Sequence, residues 1–352
     1  MVDLKGLDKQ EMEEWVSTLG MEPYRARQIR QWLFKRLASS FDEMTDLSKS
    51  LRDLLNNEAN IDHLERIRTQ VSEDKTEKVL FRLHDGEHIE TVLIPERDHF
   101  TLCVSSQAGC AMGCVFCHTA KQGFRRNLTP AEIIEQVIQI RRSMKIPERL
   151  TNIVFMGMGE PLANYHSVIK SIGNLIAEDG MNFSHRKVTL STCGLVPFIH
   201  KLGEDTTVNL AVSLNAADDE TRNLLMPVNR QYNLKSLIAA CRDFPLPNRR
   251  MITFEYILIN RMNDRKEDAR NLIKLLSGIR AKINLIPYNP LQGLEMATPT
   301  MERILEFQDI LVKHHFTAMI RKGKGKDIQA ACGQLSGEVN MKEPSFHKEY
   351  MG

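Results

Sequence analysis

Residues 101–145 read TLCVS (101–105), SQAGCAMGCVFCHTAKQGFRRNL (106–128) and TPAEIIEQVIQIRRSMK (129–145). That is an apolar strand-like run, a long loop, and a helical pattern over 130–145 that opens on Thr129, Pro130 and Glu132. Threonine followed three residues later by glutamate is a capping box, and proline suits the first helical turn. The same unit recurs along the chain. Apolar runs near 151–156, 187–191, 207–213, 251–258 and 282–287 alternate with helical patterns near 164–178, 195–203, 233–243, 264–277 and 299–314. Alternation of this kind predicts an α/β fold, a parallel sheet with helices outside. Six units fall short of an eight-stranded barrel, so the expected architecture is a partial (β/α)6 barrel, with a doubly wound sheet as the alternative.

Residues 1–90 read differently. Helical patterns at 8–19, 23–39 and 43–57 precede alternating runs at 78–84 and 88–94, with Asp85-Gly86 between them as a hairpin turn. The expected division is a small helical domain with a hairpin over 1–90, a core over 91–335 and a tail over 336–352.

Composition narrows the class. The 352 residues are 42% hydrophobic, 26% charged and 6% aromatic, an ordinary globular balance that excludes disordered and fibrous chains. No apolar run approaches the ~18–20 residues that span a bilayer, and the polar MVDLKGLDKQ start lacks a signal peptide's apolar stretch. A cytoplasmic protein with no membrane contact is expected. A net charge of +2 does not by itself announce nucleic acid. Seven cysteines without a secretory signal favour metal or redox chemistry over a disulfide framework.

In parallel α/β folds the site lies at the carboxyl ends of the strands. The first such loop holds Cys110, Cys114 and Cys117, a C-x3-C-x2-C spacing. Structural zinc wants four ligands, commonly in two pairs, and no second C-x2-C exists; His118 could complete the set only by folding back on Cys117. Three thiolates suit a [4Fe–4S] cluster with one iron left open to a small molecule, and a zinc protein that binds RNA is the rival.

With an aromatic before the last cysteine, this triplet resembles the signature of radical S-adenosylmethionine (SAM) enzymes. The surrounding chain is similar to the RlmN/Cfr family of RNA adenine methyltransferases, in Cys103-Val-Ser-Ser-Gln-Ala-Gly-Cys110, Met156-Gly-Met-Gly-Glu-Pro-Leu162, Ile283-Asn-Leu-Ile-Pro-Tyr-Asn-Pro290 and Ala330-Ala-Cys332-Gly-Gln-Leu335. The matches run from about residue 80 to 340. The resemblance implies a radical SAM core and methylation of carbon 2 of adenine 2503 in 23S ribosomal RNA and of adenine 37 in transfer RNAs, with carbon 8 of the same ribosomal adenine as the Cfr-type alternative. It implies one [4Fe–4S] cluster on Cys110, Cys114 and Cys117, ping-pong use of two SAM molecules, an electron donor such as flavodoxin or ferredoxin, and a monomer. Cys332 matches the family's methyl-carrying cysteine, Cys103 the resolving thiol that forms a transient disulfide with it, and Glu90 the base for the carbon-2 proton. A base there would need partial burial to raise its pKa.

SAM is expected at the strand ends, on Gly159 and Glu160, Ser191, Ser213-Leu214-Asn215, and Asn289. Glycine would let the ligand approach the backbone, and a carboxylate would accept from its ammonium. Where the family often has histidine this chain has Asn215, which still offers donor and acceptor. Cys193 and Cys241 match no role and are read as structural. Candidate RNA contacts are the arginines of 25–36, Arg125-Arg126, and Arg321-Lys-Gly-Lys-Gly-Lys326, whose glycines suit a mobile loop ahead of Cys332. Residues 1–90 hold 14 Lys and Arg against 19 Asp and Glu, so any RNA surface there is a local stripe on an acidic unit.

Overall fold

The computed structural model describes residues 1–291 and 293–338; residues 339–352 of the expected tail lie outside the described residues. The chain opens with β1 (Val2–Asp3), α1 (Lys9–Thr18), α2 (Tyr24–Arg30), α3 (Lys49–Glu58) and β2 (Ala59–Asn60), which pairs in parallel with β1. A reciprocal Asp8–Glu11 capping box starts α1. The helix expected over 23–39 leaves α geometry at Gln31 and runs to Lys35 as a π-turn. Trp32, Leu33 and Phe34 are all buried there, and three buried residues in succession do not fit one α-helical face. The helix expected from 43 begins at Lys49, capped by the Ser48 hydroxyl.

The hairpin does not belong to this helical unit. β3 (Glu65–Val71), β4 (Glu77–Arg82), β5 (His88–Pro95) and β6 (Phe100–Cys103) pair antiparallel in sequence. Residue 90 lies in the middle of β5, so a division there would cut a strand. After β6 the long loop holds β7 (Gln107–Gly109), α4 (His118–Lys121) and β8 (Phe124–Asn127), and leads into α5 (Pro130–Ser143) behind the expected Thr129–Glu132 capping box. The remaining units are β9 (Leu150–Phe155) with α6 (Tyr165–Ile176), β10 (Val188–Thr192) with α7 (Val196–Asp205), and β11 (Asn209–Ser213) with α8 (Asp219–Leu225) and α9 (Leu234–Asp243). They continue with β12 (Ile252–Leu258) and α10 (Lys266–Leu276), β13 (Ala281–Pro287) and α11 (Met301–Lys313), and end on β14 (Thr317–Ile320).

One sheet in the order β14-β13-β12-β11-β10-β9-β6-β5-β4-β3 results, parallel from β14 to β6 and antiparallel beyond. All six expected β/α units are present in this α/β fold. β14 adds a seventh parallel strand and β3 an antiparallel edge, so the sheet stays open. Both were missed for the same reason: β14 has only four residues, and no residue of β3 is buried, so neither carries a hydrophobic period.

The sheet interior is apolar, with Ile153, Leu190, Leu210, Phe254 and Leu285 at 1% exposure or less. Two interior ion pairs tie the helical unit to it. Lys5 Nζ lies 2.6 Å from Glu135 Oε2, with both side chains buried. Arg30 donates to Asn174 Oδ1 at 3.0 Å and pairs with Asp179 at 3.2 Å. Among the described residues no helix is long and apolar enough to cross a membrane.

Candidate active site

The cysteine loop is shaped by its base and its anchor. β7 and β8 pair across its neck, and Cys110 N donates to Gly123 O at 3.0 Å. Phe116 inserts into a satellite apolar cluster with Cys193, Leu225, Met226, Val228, Ile259 and Tyr288, which fixes the stretch between Cys114 and Cys117. All three thiols line one cavity of about 150 Å³ that opens to solvent at the carboxyl ends of the strands. Burial pushes each thiol upward, Cys110 to about 12, and Cys114 also feels its two neighbours. Among the described residues no three of His, Cys, Asp and Glu are disposed to close on a single metal ion. His118 turns its Nε2 toward Glu338, 3.9 Å away, rather than back to the thiols.

Five of the seven residues expected at SAM also line this cavity: Gly159, Glu160, Ser191, Ser213 and Asn215. Leu214 does not; it is fully buried in the apolar core behind Ser213, as strand alternation requires. Asn289 stands outside the lining too. Its Nδ2 donates to Cys332 O at 3.3 Å, and its buried Oδ1 has no partner.

The expected reason for glycine at 159 is only part of the answer. Its φ is +97°, and a Cβ would sit 2.5 Å from Gln107 Cβ, so protein packing forbids a side chain before any ligand does. Gln107 Oε1 in turn accepts from Glu160 N at 2.8 Å. The Glu160 carboxylate accepts from Leu162 N at 3.0 Å and Cys193 N at 2.8 Å, while burial pushes it above the usual carboxylate range. Asn215 occupies the left-handed region at φ +59°, which asparagine tolerates, and its amide is taken up by Ile257 N and Met226 Sδ.

Two residues of the site carry no legible sequence signal. Arg222, fully buried, donates to the carbonyls of Cys193, Ser213 and Leu214 and to Asn229 Oδ1. It ties the ends of β10 and β11 together. Glu255 on β12 lines the cavity, accepts from Ser191 Oγ at 3.2 Å, and is pushed upward by burial. A lone arginine in a helix and a lone glutamate in a strand read as surface charge.

Cys332 is exposed to the cavity yet enclosed by protein, and its thiol is pushed up to about 11 by burial and then by Glu255. Cys103, at the end of β6, is buried and is raised first by burial and next by Cys332, which places the two sulfurs within electrostatic reach. Both are free thiols. Cys193 lines the cavity and Cys241 is buried near Arg222. Glu90 is fully rather than partly buried and is not among the residues that line the cavity. Its Oε1 meets Lys78 Nζ at 3.0 Å, and its Oε2 accepts from Ser336 N at 2.7 Å and Gly337 N at 3.1 Å.

The basic stripes divide. Arg30 is buried in the Asp179 pair, and Arg126 is held by Asp85 and Glu132, so neither is free for a polyanion. Arg27 and Lys35 remain exposed, and Arg36, also exposed, pairs with Asp46 at 3.4 Å and stacks on Trp32. Within the 321–326 run Asp74 accepts from Gly325 N at 3.1 Å, and just beyond it Asp327 is bonded by Ser72 and Glu73.

The chain matches the ribosomal RNA large subunit methyltransferase N-terminal domain over residues 2–61 and the radical SAM superfamily over 104–275. It is 54% identical over 338 residues to the dual-specificity RNA methyltransferase RlmN of Desulfosudis oleivorans, covering 96% of this chain and 91% of that one. The chain belongs to the RlmN family of radical SAM RNA methyltransferases. The RlmN of Syntrophus aciditrophicus is 52% identical, with 96% and 97% covered. A crystallised radical SAM methyltransferase from Sphaerobacter thermophilus superposes with TM-score 0.91 at 45% identity, covering 96% of this chain and all of that one. Membership in the RlmN family implies an iron–sulfur cluster and SAM, and the residues fit both. Cys110, Cys114 and Cys117 converge on one cavity, and soft thiolates are the ligands that iron–sulfur centres take. The cavity beside them presents Glu160, Ser191, Ser213 and Asn215 as polar groups for a ligand.

Proposed function

We propose that this enzyme methylates carbon 2 of adenine in two RNAs, at the positions numbered 2503 in 23S ribosomal RNA and 37 in transfer RNAs, with Cys332 as methyl carrier. The observation that carries this reading is the gathering of Cys332, the three clustered thiols and Glu160 on one cavity. When bound to Cys110, Cys114 and Cys117, one [4Fe–4S] cluster supplies the electron that splits SAM and yields a carbon radical.

The chain's own residues do the rest. Cys332, once deprotonated, takes a methyl group from one SAM by displacement at carbon, and thioether formation leaves a sulfur able to stabilise an adjacent radical. Loss of a hydrogen from that methyl, using a second SAM, lets the remaining methylene add to the electron-poor carbon 2. Glu90 accepts the carbon-2 proton, and the adduct's unpaired electron passes back to the redox chain that supplied it. The Cys103 thiolate attacks the Cys332 sulfur, the sulfur–methylene bond breaks, and the freed carbon takes a proton to become the methyl group; the Cys103–Cys332 disulfide left behind is reduced by the external electron donor before the next turnover. For this, Glu90 must exchange its bonds to Ser336 and Gly337 for the substrate. Arg27, Lys35, Arg36 and Arg125 offer phosphate contacts.

Nucleoside mass spectrometry of ribosomal and transfer RNA from cells with and without the gene tests the reading. Loss of 2-methyladenosine from both pools is expected. Loss of 8-methyladenosine instead would replace the carbon-2 assignment, and no change in either would refute the activity.

A further inference from the structure

A lysine on a strand that is only 5% exposed gives up hydration and rotamer freedom, and Lys78 does so for two contacts. Its Nζ lies 3.0 Å from Glu90 Oε1 and donates to the carbonyl of Gln329 at 3.3 Å. In the β4–β5 register Lys78 faces Val92 and Leu80 faces Glu90, so Lys78 and Glu90 are diagonal neighbours on one face of the sheet. Glu90 spends its other oxygen on Ser336 N and Gly337 N. One buried ion pair therefore grips the segment that bears Cys332 on both sides of the sulfur, at 329 and at 336–337.

The opposite side of the same segment is held by α4, directly after Cys117. His118 N donates to Gly333 O and Thr119 Oγ1 to Leu335 O, both at 2.7 Å. A Cβ at Gly337 (φ +64°) would stand 2.9 Å from His88 O, so the strap lies directly on β5. Cys332 is thus seated between the antiparallel extension of the sheet and the cysteine loop.

Resting on the reading in which Cys332 carries the methyl and Glu90 is the base, we propose that Lys78 is a positioning residue that seats the Cys332 segment for methyl uptake, by pairing with Glu90 and holding the Gln329 carbonyl. Glu90 has no oxygen for substrate while Ser336 and Gly337 occupy it, so seating of Cys332 and action of the base alternate. Lys78, bonded to both partners, sets the balance between them.

The test compares wild type, Lys78→Met and Lys78→Arg of the cluster-reconstituted full chain, by hydrogen exchange and by the rate of methyl incorporation on the Cys332 peptide from methyl-labelled SAM without RNA. A bond to a charged group of this kind is worth roughly ten- to a hundredfold in local opening. Lys78→Met is expected to speed exchange over 329–337 by about that factor, leave β9 and β10 unchanged, and slow methyl uptake about tenfold or more; Lys78→Arg is expected to restore most of both. Should Lys78→Met fail to fold, Lys78→Met with Glu90→Gln, which leaves no buried charge unpaired, serves in its place. Unchanged exchange over 329–337, or loosened exchange with wild-type methyl uptake, would overturn the proposal. Absence of methyl from Cys332 in the wild type would instead overturn the carrier reading and the positioning role with it, while the exchange arm still reports whether the clamp exists.

Discussion

Arg222→Met is the sharpest probe of how the cavity is built. The guanidinium donates to Cys193 O at 2.7 Å, Asn229 Oδ1 at 2.8 Å, Leu214 O at 3.0 Å and Ser213 O at 3.3 Å. Methionine fills a similar volume but strands four buried acceptors. Each bond to a charged donor is worth about 1.5–3 kcal/mol, but the four share one group, and removing a buried cation recovers part of its desolvation. The net expected loss is about 3–5 kcal/mol, a large share of the ~5–15 kcal/mol that holds a typical domain. Arg222→Lys keeps a charge but cannot span four acceptors, and should lose about half as much. Urea unfolding followed by far-ultraviolet circular dichroism measures both, and calorimetric SAM binding should weaken in parallel because Ser213 and Cys193 lie on the freed loops. A methionine variant within about 1 kcal/mol of wild type, or one no worse than the lysine variant, would refute the reasoning.

Other outcomes follow from the same geometry. Lys5→Met leaves Glu135 buried beside His63, Arg142 and Gln139, and should cost about 3–5 kcal/mol in urea unfolding. Burial raises Asp3 to about 6, so the folded state holds its proton more tightly, and this contribution to stability is lost as pH rises from about 4 through 6. Asp3→Asn, which can still cap Lys5 N, should therefore be more stable than wild type at pH 7 by about 1–2 kcal/mol, since solvent screens part of the effect, and the gap should close toward pH 4; a pH-independent difference would count against it. Cys114→Ser should abolish the visible iron–sulfur absorbance after anaerobic reconstitution while leaving the circular dichroism of the fold intact. Gly159→Ala adds a Cβ against Gln107 at positive φ and should destabilise by about 2–4 kcal/mol, with weakened SAM binding.

Much of this was legible in the chain because it rests on local patterns. The six expected strands alternate with helices whose apolar periods are strong, and Thr129 and Glu132 announce α5. The cysteine spacing marks the cavity, since three thiolates in one glycine-containing loop have few other uses. What stayed hidden depends on tertiary placement. Leu214 reads like its neighbours Ser213 and Asn215 in sequence, but strand alternation turns it into the core. Arg30 sits within a basic stripe, yet Asp179, far along the chain, draws it inside. Arg222 acts through partners 7 to 29 residues away, Glu255 through Ser191 at 64, and Lys78 through Glu90 at 12 and Gln329 at 251, and no local periodicity marks those pairings. β3 carries too many charges and β14 too few residues to declare a period.

The account turns on a methyl group that reaches RNA by way of Cys332 and loses a hydrogen on the way. Turnover with SAM bearing a fully deuterated methyl, followed by mass spectrometry of the modified adenosine and of the Cys332 peptide, measures this directly. The account predicts labelled methyl on Cys332 before RNA is added, and a product methyl that has exchanged one deuterium for hydrogen. A product that keeps all its deuterium, formed with Cys332 unmodified, would mean direct transfer from SAM and would contradict it.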